Sequence, residues 1–189
     1  MPEDQELIKE ILNGSQAAME VLTRKYYKPI YAFVYRKVGD RELAYDFTQE
    51  IFIKMMQRLD SFSNKGSFQS WLYSIAVNHC RDYWRSLEYK NTSKQAELVE
   101  TIKSEGNTVP YIFERKETRE QVKQAINSLP DIQKEAVILK YYHDMKIQEI
   151  ADVTNANLST VKSRLKQGLG KLAAILERGE EYAKKTNRK

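Results

Sequence analysis

Ile147-Gln148-Glu149-Ile150-Ala151-Asp152-Val153-Thr154-Asn155-Ala156-Asn157-Leu158-Ser159-Thr160-Val161-Lys162-Ser163-Arg164-Leu165 reads as two helices joined by a tight turn. Ile147, Ile150, Ala151 and Val153 give the first helix a narrow apolar face, and the small Ala151 lets two backbones approach where the helices cross. Asn155 stands where the turn needs a positive φ, a region Asn tolerates better than most non-glycine residues. Asn157 is placed to cap the next helix, its side-chain oxygen accepting a backbone N–H. Val161, Leu165, Leu169 and Leu172 recur at three- and four-residue spacing and predict the stripe that holds this helix to its domain. Turn, cap, small residue and stripe together have the layout of a helix-turn-helix.

Off that stripe lie Lys162, Ser163, Arg164, Lys166, Gln167 and Lys171. A DNA major groove admits such a helix, with Arg or Lys addressing guanine, Gln adenine, and Ser either a base or a phosphate. The competing reading is an amphipathic surface helix with solvated charges. Gly168 and Gly170 favour it, since a glycine inside a helix costs about 1 kcal/mol relative to Ala.

Charge placement supports the DNA reading. The 189 residues carry 31 Lys and Arg against 26 Asp and Glu, a net +5. Residues 1–87 hold +1, 88–115 hold −1, 116–158 hold −1 and 159–189 hold +6, so the excess lies wholly at the C-terminal end. Such asymmetry is the footprint of a polyanion contact or of a solvated basic tail. Aromatic residues concentrate elsewhere: 15 of the 20 fall between Tyr26 and Tyr89, which marks two units of different composition.

Upstream, the pattern is helical throughout. Leu7, Ile8, Ile11 and Leu12 predict a first helix ended by Asn13-Gly14. Ser15 predicts an N-cap for a second, with Ala18, Val21 and Leu22 on one face, and Pro29 is expected in the first turn of a third containing Ile30, Phe33, Val34 and Val38. A fourth runs from about Arg41 to Leu59 with Leu43, Phe47, Ile51, Met55 and Leu59 at four-residue spacing, and a fifth from Ser67 to about Ser86. Residues 88–115 are polar and punctuated by Gly106 and Pro110, which predicts a flexible linker with at most a short helix near Ala96–Ile102. After it, Val122, Ile126 and Leu129 end at Pro130, and Ala136, Val137 and Leu139 begin the next helix.

Composition excludes several classes. With 41% hydrophobic residues the chain can bury cores, yet no apolar run reaches membrane-helix length. Met1-Pro2-Glu3-Asp4-Gln5-Glu6 lacks the pattern of a secretory leader, so a cytoplasmic location without membrane insertion is expected. The lone Cys80 cannot form an internal disulfide and is expected to pack as a small hydrophobe. His79 and His143 lack partners at metal spacing, and neither paired catalytic carboxylates nor a phosphate loop is evident, so no metal, cofactor or enzymatic activity is expected.

Six stretches together resemble a known family. Leu129-Pro130, Tyr141-Tyr142, Ile147-Gln148-Glu149-Ile150-Ala151 and Ser159-Thr160-Val161-Lys162-Ser163-Arg164-Leu165 resemble the DNA-binding sigma-4 domain of bacterial RNA polymerase sigma factors. Asp46-Phe47-Thr48-Gln49-Glu50-Ile51-Phe52-Ile53-Lys54 resembles the polymerase-binding helix of that family, and Phe68 to Asn78, followed by Asp82 and Arg85, its promoter-melting helix. With two domains and little else, the chain is similar to the small extracytoplasmic-function (ECF) group.

The resemblance implies an all-α chain of two small helical domains joined by a flexible linker: a sigma-2 bundle over 1–87, a linker over 88–115, a sigma-4 helix-turn-helix over 116–178 and a basic tail over 179–189. Core polymerase would be met by Asp46, Gln49, Glu50 and Lys54 on the β′ clamp, with a further contact to the β flap. The −10 element, as single-stranded DNA, falls to Ser63, Asn64, Lys65, Gly66, Ser67, Trp71, Asn78, Arg81 and Arg85. The −35 element falls to Thr160, Lys162, Ser163, Arg164, Lys166, Gln167 and Lys171. Phe68, Trp71, Tyr73, Tyr83 and Trp84 supply the aromatic composition of a single-strand platform, while Phe68, Leu72, Ile75 and Ala76 are expected to pack inward. A dedicated anti-sigma factor, often membrane-anchored, is a further implied partner. The rival is a helix-turn-helix regulator that works without being a polymerase subunit.

Overall fold

The computed structural model describes the backbone of residues 3–62, 66–93 and 113–186, and the side chains of these except 87–93, 113–118 and 178–186. Among the described residues every regular element is helical. Four helices, α1 (Asp4–Leu12), α2 (Gln16–Val38), α3 (Arg41–Arg58) and α4 (Phe68–Ser93), form a first group, with a 3₁₀ turn at Leu59–Ser61. Four more, α5 (Phe113–Asn127), α6 (Asp131–Tyr142), α7 (Ile147–Thr154) and α8 (Leu158–Thr186), form a second.

Local chemistry sets the ends. Ser15 Oγ accepts the Ala18 N–H at 3.2 Å and starts α2. At the other end Gly39, with φ of 83°, turns the chain left-handed while its N–H closes on the Tyr35 carbonyl at 2.8 Å. Asp40 follows at once, its carboxylate accepting the Leu43 N–H at 2.8 Å to open α3.

Pro29 corrects the expected second and third helices, because α2 runs through it as one continuous helix. An interior proline costs about 3 kcal/mol. Leu22, Tyr26, Ile30, Phe33 and Val34 are all buried at helical spacing around it. At roughly 1.5–3 kcal/mol for each large apolar side chain, that burial outweighs the break. Leu12 and Val21 are exposed, so the apolar faces of α1 and α2 are narrower than their sequences suggest. Both margins of the expected linker are helical, since α4 continues to Ser93 and α5 begins at Phe113; the short helix expected near 96–102 lies outside the described residues. The stretch expected as a basic tail over 179–189 continues α8 as far as Thr186.

The two groups pack against each other, α2 on α6 and α4 on α7. Tyr73 of α4 is fully buried there, its hydroxyl 2.7 Å from Nδ1 of His143 just after α6.

Candidate polymerase and nucleic-acid interfaces

The turn between α7 and α8 forms as its sequence dictates. Asn155 adopts φ 49° and ψ 51°, and the Ala156 N–H reaches back to the Ala151 carbonyl at 2.9 Å. Asn157 Oδ1 accepts the Thr160 N–H at 2.8 Å and caps α8. Val161 and Leu165 are buried as expected, but Leu169 is 40% exposed and Gly168 takes the inward position in its place. The inward stripe is therefore 161, 165, 168, 172, which follows the 3.6-residue repeat more closely than two successive four-residue steps. A Cβ at Gly168 would stand 3.0 Å from Val137 Cγ2 and 3.5 Å from Gln133 Cβ, so this glycine lets α8 close onto α6.

Lys162, Ser163, Lys166, Gln167 and Lys171 are exposed on α8; Thr160 and Arg164 are half-buried. Nε and Nη1 of Arg164 are shut from solvent without a hydrogen-bond partner. The Gln167 amide is held on both sides: Gln133 Nε2 donates to its Oε1 at 2.9 Å, and its Nε2 donates to Ser163 Oγ at 3.1 Å.

On α3 the structure brings Asp46, Gln49 and Glu50 to the surface, and their face continues into exposed Tyr45, Ile53 and Met56. None of these three belongs to the expected core stripe or to the expected polymerase-binding set. Lys54 is half-buried, its Nζ 2.6 Å from Nδ1 of buried His79. An ammonium has no lone pair, so Nδ1 must accept and the ring proton sits on Nε2. Nε2 faces Glu50 Oε2 at 3.5 Å, too long for a good hydrogen bond. Burial, then the Lys54 charge, holds the His79 imidazole below its usual pKa against the opposing pull of Glu50 and Asp82.

The third surface lies on α4. Phe68, Leu72, Ile75 and Ala76 point inward as expected, and Tyr73 joins them, which removes it from the aromatic platform. Trp71 is half-buried against Phe62 and Phe68, with ring centroids 5.3 and 5.5 Å away. Gly66, Ser67, Asn78, Trp84 and Arg85 are exposed; Ser63, Asn64 and Lys65 lie outside the described residues. Cys80 is buried, and burial pushes its thiol up to about 12.

Arg81 is committed elsewhere. Its Nη2 and Nε donate to Glu135 Oε1 and Oε2 at 2.5 and 3.3 Å, and its Nη1 to the Thr154 carbonyl at 3.3 Å. Glu135, on α6, is 1% exposed and also faces Nζ of Lys37, 0% exposed, at 3.4 Å. Lys37 binds the Asp131 carboxylate and, at 3.3 Å, the Asp131 carbonyl. Lys134 donates to the Lys37 carbonyl at 2.9 Å, and burial, then the Lys37 charge, pushes its pKa down. A cleft of about 800 Å³ between the groups is lined by Arg81, Trp84 and Arg85 on one side and Lys134, Asn155 and Arg164 on the other. Positions that the sequence assigned to two separate DNA elements therefore share one cavity. Nothing local could reveal this, because Arg81 and Glu135 are 54 residues apart.

Comparison with known proteins agrees with this geometry. Residues 22–88 match Sigma-70 region 2 and residues 119–172 match Sigma-70, region 4. The chain is 30% identical over 169 residues to the ECF RNA polymerase sigma factor SigW of Bacillus subtilis (strain 168), an alignment covering 85% of this chain and 90% of that one. It is also 30% identical over 169 residues to the ECF RNA polymerase sigma-E factor of Escherichia coli (strain K12), covering 86% and 88%. Its fold is similar to that of the sigma factor RpoE in complex with the anti-sigma factor NepR from Bartonella quintana, with a TM-score of 0.68 at 19% identity, covering 84% and 96%. CnrH in complex with the cytosolic domain of CnrY gives a TM-score of 0.68 at 22% identity, covering 93% and 97%.

Proposed function

The chain belongs to the ECF group of the sigma-70 family of RNA polymerase sigma factors, and from that premise we propose how its surfaces divide promoter recognition. As a sigma factor it binds core RNA polymerase and promoter DNA and supplies promoter specificity at initiation. The observation that carries our assignment is the recognition helix α8, fixed by a buried stripe while Lys162, Ser163, Lys166, Gln167 and Lys171 are exposed to solvent.

Residues 116–178 read the −35 element in the major groove, with Thr160 and Arg164 completing the set. Residues 1–87 dock on the β′ clamp through Asp46, Gln49, Glu50 and Lys54, where a polar, charged face supplies complementarity and orientation. The same unit melts the −10 element through residues 63–67 with Trp71, Asn78, Arg81 and Arg85, stacking and hydrogen bonds offsetting a few kcal/mol of unstacking per base. Residues 88–115 let the two units span a promoter, with the second also meeting the β flap. The polymerase supplies the chemistry, and this chain works without catalytic residues, metal or cofactor. It acts in the cytoplasm, and an anti-sigma factor covers it until it is needed. No described helix is long and apolar enough to cross a membrane.

Gel filtration with purified core polymerase, followed by run-off transcription, tests the assignment. Co-elution and promoter-dependent transcripts are expected. Failure to bind core, or a core complex that opens no promoter, overturns it.

A further inference from the structure

The Gln167 amide is not a free rotor on the recognition helix. Gln133, on α6 and buried, donates to Gln167 Oε1 at 2.9 Å, while Gln167 Nε2 donates to Ser163 Oγ at 3.1 Å. A side-chain amide carries two donors on nitrogen and two lone pairs on oxygen. With one of each engaged inside the protein, one N–H and one lone pair are left for the groove, in a fixed order along α8. That order is what a bidentate contact to adenine N7 and N6 requires.

Gly168 makes the arrangement reachable. Its missing Cβ brings α8 within 3.0 Å of Val137 Cγ2 and 3.5 Å of Gln133 Cβ, measured from where that Cβ would stand. A larger residue would push the helices apart and stretch the bond between the amides. The glycine that weakens α8 as a helix thus has a compensating use, adjacent in sequence to the residue it serves.

We propose that Gln133 is a positioning residue for base selection: it never touches DNA, yet it sets which way the Gln167 amide faces the −35 element. The inference rests on α8 being the −35 helix and on Gln167 reading a base there. Positioned amides lose less freedom on binding than free ones, so both affinity and discrimination at one base pair gain from it.

The experiment uses the full chain bound to purified core polymerase, transcribing a template library randomised through the −35 element, with transcripts sequenced to give base preference at each pair. Gln167→Ala identifies the pair that Gln167 reads, expected as a loss of roughly 5- to 150-fold in discrimination there. Gln133→Met keeps the buried volume and removes the amide. It is expected to lose several-fold discrimination at that same pair, with the other pairs and core binding unchanged. Gly168→Ala keeps both amides and separates them, and is expected to give a smaller loss at the same pair. Gln133→Glu, which can only accept when ionised, should turn the Gln167 amide over and change which base is preferred. Full discrimination at the Gln167 pair in both Gln133→Met and Gly168→Ala overturns the positioning role. Unchanged preference everywhere in Gln167→Ala overturns the base-reading assignment beneath it, a separate and distinguishable result. Loss spread evenly over all pairs means that Gln133 merely supports the fold, and also overturns the proposal.

Discussion

Two surfaces of the first four helices stand in opposite condition. On α3, Asp46, Gln49 and Glu50 lie open to solvent, and nothing has to move before a partner can meet them. On α4, Arg81 is 21% exposed and spends its donors on Glu135 and the Thr154 carbonyl of the second group. Arg85, one turn further along, is 77% exposed. The face proposed to meet polymerase is ready, whereas a central residue of the face proposed to meet single-stranded DNA is occupied by the chain's own second half. Buried ion pairs gain little net stability, because their attraction is set against the loss of hydration of both partners. Were the halves to part, Lys37, Glu135 and Arg81 would regain water, so this charge cluster adds specificity to the contact with little net stability.

The largest expected effect comes from breaking the occupied side. Glu135→Ala leaves buried Lys37, still held by Asp131, and half-buried Arg81 without their shared carboxylate, a loss worth up to about 3–5 kcal/mol where the charges cannot rehydrate. Here they can, by separation of the two groups. A larger radius in small-angle scattering with unchanged helical circular dichroism is the expected result. An unchanged radius would mean that apolar packing alone holds α4 on α7 and that the charge cluster is incidental.

The exposed side is tested by Gln49→Ala combined with Glu50→Ala. At roughly 0.5–1.5 kcal/mol for each lost hydrogen bond, core polymerase affinity should fall about 5- to 150-fold. The scattering radius should stay as in the unaltered chain. Loss of compaction together with core binding would show that the two faces are not independent. Glu50 is the residue through which they could couple, since it faces His79 at 3.5 Å.

A smaller effect is expected from pH. Burial, then the Arg36 charge, lowers the His143 imidazole from 6.5 to about 4, with Asp144 opposing. Arg36 and Tyr73 both belong to the first group, so part of this shift exists only while the groups are in contact. The ring binds fewer protons in the packed form than in the separated one between those two values. Packing is therefore favoured as pH rises: its contribution is complete above about 6.5 and drains away as pH falls towards 4. Scattering radius against pH should show expansion across that window, and His143→Gln should flatten it. A profile identical in His143→Gln would assign the change to carboxylates instead.

What the sequence disclosed follows the range of the interactions involved. Caps and turns at Ser15, Asn155 and Asn157 are settled within four residues, and all three were legible. Core stripes were legible where every fourth position is apolar, as at Phe47, Ile51, Met55 and Leu59. They failed where a helix needs close approach rather than apolar bulk: Leu169 looked like the inward residue, and Gly168 is. Pro29 misled for a related reason, since a local cost was outweighed by burial shared along the whole of α2. The partners of Arg81, Lys37 and Tyr73 lie 54 to 98 positions away, and no periodicity carries that information. For the proposed site, residue types and helix faces were readable, and their engagement with each other was not.

The smallest effect separates phosphate attraction from base reading. Lys171 is exposed on α8, one turn beyond Gln167 and past the glycine that brings α8 onto α6. At that depth along a recognition helix a lysine addresses the backbone rather than a base edge, because the helix enters the groove by its N-terminal residues. Lys171→Ala should therefore lower promoter affinity evenly across −35 sequences and reduce the slope of log K against log salt by about 1. Core binding through the α3 face should be unaltered, since Lys171 belongs to α8 of the other helical group. A change in base preference at any one pair would instead place Lys171 among the base-reading residues, and the rise of +6 in charge from Ser159 onward would then carry sequence information as well as attraction.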